Sequence, residues 1–161
     1  MIKIIVFLMM TFMSFGEIKV SLVSALEVQH TFESDAVGFK NEDLVGNDGF
    51  NEGFLKNEMI GLDLRKNNLS LTLITFKNSF YDRSNGVLLN YWKSAGRSKK
   101  TEFSFSLGLV DGYKKEQGLY FISDKAVIGH LGIYTKVNNK TSLFITGNPV
   151  YFTAGIRLNL N

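Results

Sequence analysis

The stretch that decides the fold is 69–92, which reads LSLTLITFK (69–77), NSFYDRS (78–84) and NGVLLNYW (85–92). In its first part, Leu69, Leu71 and Leu73 alternate with polar residues. A period of two residues is typical of a β-strand with one apolar and one polar face. The middle part is rich in turn-forming residues, and the alternation resumes at Val87. The stretch therefore predicts two antiparallel strands joined by a short polar loop.

The same alternation recurs along the rest of the chain and predicts about eight strands. The alternating runs cover 17–33, 54–65, 69–77, 85–92, 101–113, 120–134, 142–146 and 150–160. Short turns at 66–68, 95–100 and 136–140 alternate with longer loops, the first of which spans 34–53. This pattern predicts an all-β fold, an antiparallel up-and-down β-barrel of about eight strands. A chain of 161 residues suits one domain.

Alternation alone fits two opposite kinds of barrel. A soluble lipocalin-like barrel has apolar residues inside, whereas an outer-membrane barrel has them outside. Long strands, aromatic residues near strand ends (for example Tyr91, Trp92 and Tyr134) and the absence of cysteine favour the outer-membrane type. The last residues, Leu160 and Asn161, argue the other way, since bacterial outer-membrane barrels usually end in an aromatic residue.

The N-terminus predicts export. Lys3 precedes an apolar run from Ile4 to Phe15, and small residues follow at 14–16. This is the pattern of a secretory signal peptide, with cleavage expected after Gly16 or after Ala25. The run is shorter than the ~20 apolar residues of a membrane-spanning helix, although an uncleaved anchor is an alternative. We therefore expect a signal peptide at 1–16 and a single barrel domain at 17–161, located in the bacterial outer membrane.

Composition excludes several kinds of function. With no cysteine, the chain has no disulfide, no thiolate metal site and no thiol catalysis. The net charge of +3 comes from scattered lysines and arginines, so no nucleic-acid partner is predicted. No metal-ligand spacing and no glycine-rich phosphate loop is present, and no cofactor is predicted.

Several short motifs, in order, resemble a known family. They are His30, Phe50-Asn51-Glu52, the run Phe76-Lys77-Asn78-Ser79-Phe80, the segment Ser106–Leu109 followed by Gly112, and Val150-Tyr151-Phe152. Together they resemble the outer-membrane lipid A palmitoyltransferases (PagP). Members of this family transfer a palmitoyl chain from a phospholipid to lipid A near the extracellular rim of the barrel.

The resemblance implies roles for particular residues. His30 would be the catalytic base, and Ser79 the nucleophile or a hydroxyl that orients the substrate. Asn78 stands where the family has an aspartate; an amide can hydrogen-bond but carries no charge. Candidates for binding substrate are Asn51, Glu52, Tyr81 and Arg83. The expected partners are membrane lipids, namely phospholipid and lipopolysaccharide, and the barrel is expected to be a monomer.

Simpler roles remain open for the same residues. His30 falls on the apolar alternation of its strand, which suits an interface histidine, and Ser79 suits a turn. The alternative function is a non-catalytic membrane barrel with a structural, lipid-binding or surface-interaction role. A soluble secreted lipid carrier is a third hypothesis. The glycines at 61, 108, 129 and 132, with Ala154, are expected to leave room inside the barrel for an acyl chain.

Overall fold

The computed structural model describes residues 17–30, 59–77, 83–97, 100–113, 120–148 and 151–161, with the backbone alone at 26–30 and at 151. All regular elements in these ranges are strands. They are β1 (Lys19–His30), β2 (Met59–Lys66), β3 (Leu69–Lys77), β4 (Arg83–Ala95), β5 (Thr101–Val110), β6 (Phe121–Ile122), β7 (Lys125–Lys136), β8 (Thr141–Gly147) and β9 (Tyr151–Asn159).

Eight of these strands form a closed antiparallel barrel, as the sequence predicts. The order around the sheet is β5-β4-β3-β2-β1-β9-β8-β7, and β5 pairs with β7 to close the circle. The strand β6 has two residues and pairs only with β7. The closed up-and-down topology leaves no long unpaired strand edge.

The three predicted short turns lie at one rim of the barrel, which we call the short-turn rim. Asn67, between β2 and β3, has a φ of 54°, which asparagine tolerates. Gly96, after β4, has a φ of 68°, a left-handed conformation that suits glycine. In the third turn the Asn138 Oδ1 accepts hydrogen bonds from the backbone N–H groups of Lys140 and Thr141, both at 2.8 Å.

The opposite rim, the long-loop rim, carries the connections after β1, β3, β5 and β8. One predicted strand boundary there is wrong. The run 120–134 was expected to be one strand, but Ser123 (φ 60°) reverses the chain, so that Phe121–Ile122 folds back on the start of β7. A left-handed residue in a two-residue turn produces this reversal.

The two faces of the wall have opposite polarity. The outer face exposes large apolar side chains on every long strand for which side chains are described: Leu22, Ile60, Leu69, Leu89, Phe103, Phe105, Leu107, Leu131, Ile133, Leu143, Ile145, Phe152 and Leu158. The inner face buries polar ones: Ser21, Asp63, Ser70, Thr72, Asn90, Glu102, Ser104, Ser106, Ser142, Thr146, Thr153 and Arg157. The outer face is therefore apolar, the reverse of a lipocalin-like barrel, and the inner face combines these polar residues with buried apolar ones such as Leu88, Ile128 and Phe144.

A β-bulge changes the alternation of β1. Ala25 pairs with Gly155, but Glu27 pairs with Ala154, so Leu26 is an extra residue in the strand. Beyond the bulge, the backbone of His30 pairs with Tyr151. The extra residue shifts the backbone register of β1 between Ala25 and Glu27, so the sequence alternation does not continue unchanged from Ala25 to His30.

Within the described ranges no helix is present that is long and apolar enough to cross a membrane.

Candidate functional site

The lumen has an apolar upper part beneath the long-loop rim, which we call the upper chamber. Ile74, Leu88, Val110 and Ile128 form one buried cluster, and Met59, Phe76 and Tyr113 pack against it. Val23, Ala25 and Phe144 form a second cluster on the other side, in contact with Met59 and Tyr134. Barrel lumens of this size are commonly filled by side chains, and here the filling is almost entirely hydrocarbon.

A narrow cavity of about 80 Å³ runs through the upper chamber. This is about half of the roughly 150 Å³ that holds one benzene molecule in an engineered protein cavity. The cavity therefore suits a thin apolar group, and a longer chain requires the partly buried Met59 and Phe76 to move. Its lower end is lined by Asp63, Trp92 and Arg157.

A network of charged and polar side chains, the ionic layer, closes the chamber below. The Arg157 Nη2 donates to Asp63 Oδ2 at 2.7 Å, and both side chains are almost fully buried. The hydroxyl of Thr72 donates to the other Asp63 oxygen, also at 2.7 Å. The Asn90 amide donates in turn to Thr72 Oγ1 at 2.7 Å and to Ser70 Oγ at 2.9 Å. Buried charges are tolerated where they are paired and hydrogen-bonded in this way.

Trp92 is the centre of this layer. Its ring lies between two guanidinium groups, those of Arg65 and Arg157, each 4.6 Å from the ring centroid. Its Nε1 donates to Ser70 Oγ at 2.8 Å, and its edge contacts Tyr134 with centroids 4.6 Å apart. Trp92 is only 2% exposed. Trp92 and Tyr134 are counted among the aromatic residues near strand ends that favour an outer-membrane barrel, but both rings lie in the lumen.

Below the ionic layer, the lumen opens at the short-turn rim into a cavity of about 290 Å³, the lower cup. Arg65 forms a two-pronged ion pair there, with its Nη1 and Nη2 at 2.9 and 2.8 Å from the Glu102 oxygens. The cup is also lined by Lys19, Lys136 and Arg157. From the long-loop rim to the short-turn rim, the lumen thus consists of the apolar upper chamber, the ionic layer and the charged lower cup. Packed side chains of the ionic layer separate the openings at the two rims.

Most of the predicted catalytic and binding residues lie outside the described ranges. These are Asn51, Glu52, Asn78, Ser79 and Tyr81. The backbone of His30 ends β1 at the long-loop rim, and Arg83 begins β4 at the same rim, exposed and paired with Lys77. The ends of β1 and β3 are two strands apart in the sheet, roughly 10 Å along the wall. β1, which ends at His30, and β3, which precedes Ser79 in the chain, therefore end at the same rim.

The second histidine, His130, lies in the lumen and lines the upper cavity. It pairs across the sheet with Ser106, which is buried. Nearer the long-loop rim, burial raises the pKa of Tyr113 to about 12, so its phenol stays neutral at physiological pH. Among the described residues that line the upper cavity, Lys77 at the rim is the only lysine, arginine, aspartate or glutamate above Asp63 and Arg157.

The small residues do not leave the empty space that the sequence suggests. Gly61 and Gly108 belong to the inward alternation, but a Cβ at Gly108 would lie 2.5 Å from Leu88 Cδ2, and one at Gly61 2.9 Å from Ile74 Cγ2. Neighbouring side chains therefore occupy that space. Ala154 is exposed on the outer face. The room in the chamber comes instead from the gap between the two apolar clusters.

Sequence reasoning missed the ionic layer. The available signal was that Asp63, Arg65 and Arg157 occupy polar positions in strands whose alternate positions are apolar. In a barrel with its polar face inward, such charges must be buried, and buried charges need partners of opposite sign. Only the closed fold shows which charges meet.

No group of three or more His, Asp or Glu side chains could hold a metal ion within the part of the chain that the structure describes. Comparison with known proteins finds no matching family model, no matching curated protein and no matching solved structure. The chain is thus defined by its fold, and the similarity to lipid A palmitoyltransferases stays a hypothesis.

Proposed function

We propose that the protein is a bacterial outer-membrane barrel that takes an acyl chain of a membrane lipid into its upper chamber. We further propose that it transfers this acyl group from a phospholipid to lipid A, or to a related lipid, at the long-loop rim. The observation that carries the proposal is the upper chamber itself: an apolar, blind-ended cavity inside a barrel whose outer face is also apolar.

The outer face supports the membrane part of the proposal. Leu131 is 69% exposed and Ile145 is 60% exposed, and such residues surround the wall. A continuous apolar belt of this kind would aggregate in water, whereas it is the normal surface of a barrel in a bilayer. The N-terminal apolar run 4–15, with its preceding lysine, suits export to that membrane.

The shape of the chamber supports an acyl chain as ligand. Between Lys77 at the rim and the pair of Asp63 and Arg157, where the ionic layer would stop a methyl end, the described residues of the wall include no lysine, arginine, aspartate or glutamate. A cavity of about 80 Å³ is too small for a rigid sterol-like or multi-ring ligand. An extended chain that enters from the long-loop rim would leave its ester group at that rim, close to the segments that carry His30 and Ser79.

The chemistry that we propose there is ester exchange. A hydroxyl group loses its proton to His30 while its oxygen attacks the ester carbonyl of the phospholipid. The ester C–O bond then breaks, and the proton passes from His30 to the departing glycerol oxygen. If Ser79 supplies the hydroxyl, the acyl group rests on Ser79 before an acceptor sugar hydroxyl takes it by the same steps. If the acceptor hydroxyl attacks directly, Ser79 and Asn78 orient the substrates.

Mass spectrometry of lipid A from cells that express the chain tests this function. We expect one added acyl group with the wild type, and none with His30→Ala or Ser79→Ala. Leu88→Trp, which fills the chamber, should shorten or abolish the transferred chain, whereas Leu89→Trp on the outer face should leave it unchanged. Lipid A of unchanged mass with wild-type protein present in the outer membrane would contradict acyl transfer.

A second candidate, favoured by the neutral Asn78 where the similar family has an acid, is a barrel that binds an acyl chain without transferring it. Purified protein would then carry a phospholipid or fatty acid that is lost with Leu88→Trp but kept with Ser79→Ala. This outcome, with no modified lipid A, separates lipid binding from catalysis.

A further inference from the structure

The lower cup lies at the opposite end of the lumen from the proposed acyl site, and an ionic layer separates the two. Four cationic side chains line it, Lys19, Arg65, Lys136 and Arg157, against two carboxylates, Glu17 and Glu102. Both oxygens of Glu102 are engaged by Arg65, and Asp63 above the cup neutralises Arg157. Since Glu17 also lines the cup, one net positive charge remains, carried by Lys19 and Lys136, neither of which has an ion pair among the described residues.

Arg157 lines the top of the cup, and its charged side chain is buried there. The residue is 5% exposed, and its Nε–H has no partner in the part of the chain that the structure describes. A buried charged donor without an acceptor is costly. Because the Nε atom has almost no accessible surface, an anion in the cup is attracted by the charge of the guanidinium group and not bonded by Nε.

The rim around the cup strengthens the positive potential. Lys66, Lys93, Arg97, Lys100 and Lys140 lie at or near the ends of the strands and turns of this rim. A cleft lined by charge of one sign, with walls of low dielectric constant, concentrates counter-ions of the opposite sign. The cup volume of about 290 Å³ is large enough for a small oxyanion and several waters.

We propose that the lower cup is a binding site for a phosphate-type oxyanion, held by Lys136 and Lys19 below the buried guanidinium group of Arg157. Guanidinium and ammonium groups are the side chains that bind such oxyanions most often. The ligand could be a soluble phosphorylated compound or the phosphate of a lipid headgroup at this rim, because the recognised chemistry is the same.

Trp92 provides the test, because it is the only tryptophan in the chain and its ring contacts both Arg65 and Arg157. The full-length protein, folded in bilayer discs of zwitterionic lipid, is titrated with inorganic phosphate at constant ionic strength, with chloride as the balancing salt. We expect a saturable change in Trp92 fluorescence. Lys136→Met should weaken phosphate binding about tenfold, and Lys19→Gln should weaken it in the same direction.

The control is Lys125→Met, which removes a charge from the opposite, long-loop rim and should leave phosphate binding unchanged. A second series in discs of anionic phospholipid distinguishes the source. Saturation by free phosphate in zwitterionic discs indicates a soluble ligand, whereas a Trp92 change that requires anionic lipid and depends on Lys136 indicates a headgroup. The proposal is overturned if neither series gives a saturable change, or if Lys136→Met and Lys19→Gln respond like the wild type.

Discussion

The upper chamber and the ionic layer are neighbouring parts of one lumen that fill it in opposite ways. In the chamber, side chains such as Leu88 and Ile128 make non-directional contacts that can shift to admit a guest. In the ionic layer, Asp63, Arg157, Thr72 and Asn90 are linked by hydrogen bonds near 2.7 Å, which fix one arrangement. The difference indicates that the upper chamber is deformable and that the ionic layer below it is rigid. Substitutions in the two regions should therefore differ in the free energy of unfolding that they remove and in their effect on ligand binding.

The largest effect should follow from breaking the central ion pair. Asp63→Ala leaves the buried Arg157 without its counter-charge, and such a change typically costs about 3–5 kcal/mol of folding free energy. Urea unfolding of the barrel in lipid bilayers measures it. Asp124→Ala, which removes an exposed carboxylate paired with Lys125, is the control and should have almost no effect. Equal losses for the two variants would mean that the ionic layer is not the rigid part.

A substitution in the upper chamber, Leu88→Ala, should reduce stability less and should enlarge the cavity that binds an apolar probe. Leu88→Ala removes buried methyl groups at a site that already borders a cavity, which should cost about 2–3 kcal/mol. The enlarged chamber should bind a bulkier apolar probe, such as a fatty acid with a ring at its end, more tightly than the wild type does.

The neighbouring substitution Leu89→Ala acts on the same strand but on the outer face, where Leu89 is 51% exposed. It should leave binding of the probe unchanged, and it should change the free energy of unfolding by less than about 1 kcal/mol. If Leu88→Ala and Leu89→Ala had equal effects on probe binding, the chamber would not be the ligand site.

A further substitution tests the ionic layer without removing any of its charged groups. Trp92→Phe retains an aromatic ring between Arg65 and Arg157 but loses the hydrogen bond from Nε1 to Ser70. We expect a loss of about 1–2 kcal/mol, measured by circular dichroism as a function of denaturant. A loss as large as that of Asp63→Ala would show that the tryptophan, and not the ion pair, holds the layer together.

The smallest effect is expected for Arg65→Lys. The lysine keeps the positive charge but cannot form the two-pronged bond to Glu102. Since this pair lies near the rim and is partly exposed, the change should cost about 0.5–1 kcal/mol. The temperature at which the folded band changes its mobility on a gel measures this loss of stability. Arg97→Lys in the exposed turn is the control and should leave that temperature unchanged.

The strands and turns of the fold were predictable because they depend on local patterns. The alternation of Leu69, Leu71 and Leu73 and the turn at Asn67 act over a few residues, and the structure confirms both. The alternation alone did not predict which face points inward, since an alternating strand is unchanged in pattern when it is turned over. Strand length and the absence of cysteine favoured a barrel with its apolar face outside, and the structure has that polarity.

The candidate site was less predictable for two physical reasons. Leu26 is an ordinary member of its alternating run, so nothing local marks the bulge that changes the register of His30. The charges of Asp63 and Arg157 are visible in the sequence, but they are 94 residues apart. Their pairing results from the positions of β2 and β9 on either side of β1.

The pairing of β1 with β9 also sets the order of folding events. The first and last strands form nine register pairs, and Leu160 and Asn161 bond back to Val20 and Ile18. These contacts have the largest sequence separation in the barrel, so their formation carries a high loop-closure cost. The barrel therefore cannot close before β9, the last strand in the sequence, has been synthesised. Until β9 arrives, β1 and β8 present open edges, and a chaperone or assembly factor that shields one such edge would control the moment of closure.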